Sequence, residues 1–103
     1  MTFTQLEIFV LVAQYQSFTL AAQHLNITQS AVSPALKSLE KHWTVRLMIR
    51  EQNQIELTQI GQQLLLHAKE VLNTAQMMQQ QVKASHGIQQ GTLRIGSFGA
   101  SAS

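Results

Sequence analysis

The spacing of apolar positions changes several times along this chain, and each change marks an element. From Thr4 onward Leu6, Phe9, Val10 and Ala13 recur at helical spacing, and Ile8, Leu11 and Val12 widen the stripe. That predicts a first helix buried over much of its girth, opened by Thr4 and Glu7 as a capping box and ending near Tyr15 to Gln16. Ser17 can cap a second helix, Phe18 to Leu25, with Ala21, Ala22 and Leu25 facing inward. Asn26 tolerates the left-handed conformation that ends a helix, Ile27 can plug the angle that follows, and Thr28 can cap the next helix. In that third helix Val32, Leu36, Leu39 and Trp43 fall on one side. Ser30, Ser33, Pro34, Lys37 and Lys41 fall on the other, and Gln29 stands at the N-terminal tip. A short helix, a three-residue turn and a second helix, with small alanines where the two cross, is a helix-turn-helix pattern.

Pro34 breaks the local rule. In a helix starting at Gln29 it removes a backbone donor and crowds the carbonyl of Ser30, which costs roughly 3 kcal/mol. Ser33-Pro34 is itself a good cap and first-turn pair, so Gln29 to Ser33 is expected to be a looser turn. The expectation is one kinked helix from about Gln29 to His42.

The period then shortens to two. Val45, Leu47 and Ile49 alternate with Arg46 and Met48, and Ile55 and Leu57 repeat the pattern. This predicts a β-hairpin, Val45–Ile49 with Ile55–Thr58, around the polar stretch Arg50 to Gln54. No glycine is present there, so a longer loop using Asn53 is favoured over a tight primed turn.

Thr58 next caps a long helix to about Ser85. Leu64, Ala68, Val71, Ala75, Met78 and Val82 repeat four-three-four-three-four, with Leu65 and Leu72 widening the seam. A stripe of that length asks for a partner helix, most simply from a second copy of the chain. His86-Gly87 and Gly91 bracket an expected hinge, and Thr92 to Phe98 alternates like the first strand of a further, truncated domain. The fold class is therefore mainly α. A winged helix-turn-helix, three helices plus a two-stranded β wing, occupies 1–58; a dimerisation helix occupies 59–86; hinge and strand occupy 87–103.

Composition narrows the function. With 103 residues and 45% apolar content, one small domain plus an extension can bury a core. No run of eighteen apolar residues spans a membrane, and MTFTQLEIFV lacks the basic start of a signal peptide. The absence of cysteine excludes thiolate chemistry and fits a reducing cytoplasm. Net charge is only +2, but four of the seven basic residues, Lys37, Lys41, Arg46 and Arg50, lie within fourteen positions. A phosphate backbone would sit there. His24, His42, His67 and His86 are too scattered for a metal site. Ser33 has no evident base, and no glycine-rich phosphate loop exists, so neither catalysis nor a bound cofactor is expected.

Several motifs now stand in a familiar order: Phe9; Ser17-Phe18-Thr19 with Ala21-Ala22 and Leu25; Gln29-Ser30-Ala31-Val32-Ser33; Leu39-Glu40; Leu47 with Arg50; Leu57-Thr58 with Gly61. Together they resemble the N-terminal part of LysR-type transcriptional regulators, from about Phe3 through the long helix, and TLRIGSFG resembles the first strand of that family's effector domain. The resemblance implies binding of double-stranded DNA, a homodimer through antiparallel linker helices, possibly a tetramer, and a small co-inducer bound by the missing effector domain. It implies base readout by Gln29, Ser30 and Ser33, with Pro34 on the same face. Phosphate or wing contacts fall to Thr19, Thr28, Lys37, Lys41, Arg50, Gln52 and Asn53. Four positions depart from the family pattern. Pro34 stands where a polar reader is frequent, Trp43 where a glycine commonly turns the chain, Met48 where phenylalanine is usual, and Asn53 where a wing arginine is frequent. The expected function is a cytoplasmic, sequence-specific regulator that reads a partly palindromic operator. The competing possibility is a winged-helix protein assembly module without a DNA role, which the low net charge favours and the basic cluster opposes.

Overall fold

The computed structural model describes residues 1–52 and 54–92, with side chains as far as residue 87. Its elements run α1 (Phe3–Tyr15), α2 (Phe18–Leu25), α3 (Gln29–Trp43), β1 (Met48–Glu51), β2 (Gln54–Leu57) and α4 (Gln59–Thr92). The chain divides into two compact units, Met1–Leu72 and Asn73–Ser103. The first is a winged helix-turn-helix.

α1 starts two residues earlier than its sequence suggests. Thr2 is the cap, and its hydroxyl accepts from the Gln5 amide while the Gln5 side chain accepts from the Thr2 amide, each at 3.1 Å. Two overlapping boxes, Thr2 with Gln5 and Thr4 with Glu7, compete here, and the earlier one adds two residues, about half a turn, to the helix. α2 is capped by Ser17, whose Oγ accepts from the Leu20 amide at 3.1 Å. It ends on Asn26 in the left-handed region (φ 58°), and the Ile27 amide reaches back to the Ala22 carbonyl at 3.0 Å. α3 ends the same way: Thr44 is left-handed (φ 57°) and the Val45 amide donates to the Glu40 carbonyl at 3.1 Å. In both endings the next residue is apolar and packs on the core. The turn after α3 is thus made by Thr44, while Trp43 stays helical and half-buried.

Pro34 lies inside α3, so the helix starts at Gln29 without delay. Its first turn is tight. The Thr28 carbonyl accepts from Ala31, three residues on, whereas the cap carbonyls of α1, α2 and α4 accept from residues four on. Thr28 occupies the cap position but makes no capping bond with its side chain; Thr28 Oγ1 instead accepts from Ser30 Oγ at 3.3 Å.

The core gathers Leu6, Ile8, Phe9 and Val12 of α1, Ala21 and Ala22 of α2, Val32, Leu36 and Leu39 of α3, then Leu47, Met48 and Ala68. Phe9, Val12, Val32, Leu39 and Leu47 are fully buried, each contributing about 1.5–3 kcal/mol of transfer free energy. Ala21 has no measurable exposure, so α1 and α3 can close on α2 without a bulky side chain between them.

The wing differs from the period-two expectation. β1 begins at Met48, so Val45 to Leu47 form a connection rather than a strand. Leu47 and Met48 are both buried, and Ile49 is 42% exposed. Consecutive inward residues are possible because Leu47 precedes the ladder. The antiparallel register pairs Met48 with Leu57, Ile49 with Glu56, Arg50 with Ile55 and Glu51 with Gln54. Only two residues join the strands, and Gln52 adopts φ 52°. The turn is therefore tight, not the longer loop expected, and Gln52 takes the left-handed position where glycine or asparagine is common. Asn53 lies outside the described residues.

Thr58 opens α4, its Oγ1 accepting from the Gly61 amide at 3.0 Å. The same hydroxyl donates to the Arg46 carbonyl at 2.6 Å and sits 3.3 Å from the Leu47 carbonyl. Gly61 is required by proximity: a Cβ there would collide with the Leu47 carbonyl oxygen. Within the first unit Ala68 is buried in the core, and Leu64, Leu65 and Leu72 lean on it. These four members of the expected seam therefore serve their own head first, while Val71 is 48% exposed. In the second unit Met78 and Val82 are exposed and Ala75 is half-buried. The sequence places a hinge at His86-Gly87 and Gly91, but α4 runs through both glycines to Thr92. The strand expected over Thr92 to Phe98 begins on that last helical residue and otherwise lies outside the described residues. No helix among the described residues is long and apolar enough to cross a membrane.

Candidate nucleic-acid interface

At about 100° per residue, the buried positions of α3 centre between Val32 and Leu36, and Pro34 points almost directly away from them. Gln29, Ser30, Pro34, Lys37 and Lys41 are all exposed. Ser33 is only half-buried, at the edge where this face meets the core, so it is less available than the sequence pattern implies. Lys37 and Lys41 form no ion pair among the described residues. The acid of α3, Glu40, lies beside Ser33 at the edge that meets the core, with its side chain 14% exposed. The outer face is thus polar to cationic, with small side chains at its N-terminal end.

Of the four clustered cations, two have partners within the head while staying exposed. Arg46 lies 3.8 Å from Glu40 and donates to the Met48 carbonyl at 3.2 Å. The Arg50 guanidinium sits 4.2 Å from the centre of the Phe18 ring. Arg50 shares a strand face with buried Met48, and Phe18 opens α2 immediately before Thr19. Arg50 therefore ties the wing to the start of α2, beside the exposed hydroxyl of Thr19. Its charge remains exposed, and its position is set by the ring rather than by solvent.

Glu40 is the functional residue that patterning alone missed. Its Oε2 accepts from the Leu47 amide at 2.6 Å and the Met48 amide at 3.3 Å. It satisfies two donors of the connection between α3 and β1, so it fixes where the wing leaves the recognition helix. One sequence signal pointed there: α3 has a single acid, set four residues before the left-handed turn.

The outer face of the wing is of opposite character. Ile49, Glu51, Gln52, Gln54 and Glu56 line a shallow depression of about 420 Å³. Its two carboxylates, Glu51 and Glu56, would oppose a phosphate backbone.

Residues 3–62 match the model of the bacterial regulatory helix-turn-helix proteins of the lysR family. The uncharacterised HTH-type transcriptional regulator YvbU of Bacillus subtilis is 44% identical over 99 residues, which is 95% of this chain and 34% of that protein. The HTH-type transcriptional regulator CfxR of Cupriavidus necator is 38% identical over 96 residues, 93% of this chain and 30% of that protein. The chain thus spans about a third of the length of these relatives. Among solved structures, the BenM DNA-binding domain in complex with catB site 1 DNA superposes with a TM-score of 0.78 at 29% identity, covering 84% of this chain and 97% of that one. The CbnR DNA-binding domain–DNA complex gives 0.75 at 30% identity, covering 84% and 99%. Family model, relatives and geometry agree: the chain belongs to the LysR family of bacterial helix-turn-helix regulatory proteins.

Proposed function

We propose that this chain binds double-stranded DNA as part of a transcription regulator, α3 entering the major groove and the wing edge approaching the adjoining backbone. One observation carries this proposal. The exposed face of α3 presents Gln29, Ser30, Pro34, Lys37 and Lys41 with no acid among them, while Val32, Leu36 and Leu39 anchor the opposite side at 0–5% exposure. The DNA complexes of the BenM and CbnR domains support it. Gln29, at the N-terminal tip, is assigned to base readout, with Ser30 beside it and Ser33 at the margin. Lys37 and Lys41 are assigned to phosphates, and Thr19, Thr28 and Arg50 to the backbone near the two helix starts.

A second copy, paired through the α4 seam, would set two such heads over two half-sites of a partly palindromic operator, and pairs of dimers would form a tetramer. A small-molecule co-inducer and its effector domain belong to a longer protein acting in the cytoplasm. An assembly module without a DNA role is not favoured, because such a module has no need for an acid-free outer helix face. The test compares two variants on duplexes selected for binding. Gln29→Ala should lose about 1–3 kcal/mol and relax preference at one base pair, whereas Lys37→Ala should weaken all sequences alike. Equal, uniform losses for both would remove Gln29 from base readout.

A further inference from the structure

The proline in the middle of α3 has no explanation in the stability of the head. It sits inside the helix and leaves the Ser30 carbonyl without its usual donor. Its ring is exposed and is not part of the core or of the apolar residues that pack against it. A residue that breaks a local rule with no packing gain is expected at a functional position. Geometry says which. Pro34 stands at the centre of the outer face, about 180° from the buried stripe, with Ser30 one turn before it and Lys37 one turn after. Ala31, also exposed, lies three residues earlier on the adjoining edge. The two form the apolar surface of an otherwise polar and cationic face. In a major groove the apolar feature on a base edge is the C5-methyl of thymine, and small apolar side chains recognise it.

We propose that Pro34 reads a thymine methyl in each half-site, with Ala31 flanking it. This deepens the DNA-binding assignment above and rests on it. The ring offers no donor or acceptor, so it discriminates by contact with the methyl and by exclusion of base edges that need a hydrogen-bond partner. The stiff ring also approaches the base with no rotamer freedom to lose.

The experiment begins with duplexes selected from a random pool by this chain. Each thymine in one half-site of a selected duplex is then replaced singly by deoxyuridine, which removes only the methyl. For the unaltered chain one position per half-site should lose affinity about fourfold, the value of one buried methyl. Pro34→Ser should bind the thymine and uracil duplexes equally. Pro34→Val, which regains the backbone donor as serine does but keeps an apolar surface, should restore the difference. A flat uracil scan overturns the proposal. So does a thymine preference that survives in Pro34→Ser, since another side chain would then read the methyl. If no duplex is enriched at all, the DNA-binding assignment fails, and the methyl contact fails with it.

Discussion

Replacing Glu40 by alanine deletes the carboxylate that accepts from two amides at the corner between α3 and the wing. Two amides lose their partner: Leu47, bonded at 2.6 Å, and Met48, at 3.3 Å. Both residues are buried, 0% and 3% exposed, so water does not freely replace the carboxylate. A hydrogen bond to a charged group is worth about 1.5–3 kcal/mol, and the longer bond belongs at or below the low end. The expected loss is about 3 kcal/mol. Arg46 adds little to this, because its side chain is 71% exposed and the ion pair is 3.8 Å long; exposed pairs contribute about 0–1 kcal/mol. Glu40→Gln keeps an oxygen in the same place and should lose only about 1 kcal/mol. Urea unfolding followed by circular dichroism, at fixed protein concentration, reads these differences. In a thermal scan Glu40→Ala should melt roughly 10–20 °C lower. Amide exchange at Leu47 and Met48 should accelerate in Glu40→Ala before exchange in α1 does, because the defect is local. Two results would refute this account: a Glu40→Ala loss below about 0.5 kcal/mol, or an Arg46→Ala loss as large as that of Glu40→Ala.

Further outcomes follow from single contacts. Gly61→Ala drives a Cβ into the Leu47 carbonyl oxygen, and despite better helix propensity it should destabilise by about 1–3 kcal/mol in urea unfolding. Thr44 holds a β-branched side chain at φ 57°, so Thr44→Gly should raise stability, by about 0.5–1 kcal/mol, measured the same way. Met78 is 63% exposed and lies on the proposed dimer seam. Met78→Glu should shift sedimentation equilibrium toward monomer while leaving the near-ultraviolet signal of Trp43 in the head unchanged; an unchanged dimer would place the interface elsewhere.

The helical part of the head was legible because its signals are local. Ser17, the turn at Asn26 and the inward run Val32, Leu36, Leu39 each state their role within a few residues. The first cap was misplaced: the sequence pattern opened the helix at Thr4 with Glu7, whereas Thr2 with Gln5 forms the box, a pair of the same type at the same spacing. The wing was less legible because its geometry depends on a residue seven positions away. Leu47 points inward next to Met48, and Glu40 and Thr58 bond to the connection from both sides. Gln52 accepts a left-handed turn without glycine, which propensity counts against. The apolar repeat in α4 was real, but periodicity does not say whose core it fills. Ala68 fills the core of its own head, and Val71 and Met78 remain exposed. The basic cluster likewise carried no record of its internal partners: Arg46 faces Glu40 and Arg50 lies over the Phe18 ring, while both stay exposed.

Salt dependence of duplex binding bears most directly on whether this head meets a phosphate backbone. With Lys37, Lys41 and Arg50 on each of two heads, log K against log salt should fall with a slope of roughly −4 to −5.5. Lys37→Ala in both heads should make that slope shallower by about 2. A slope near zero for the unaltered chain, on any duplex it binds, would contradict the central claim that α3 delivers its cationic face to DNA.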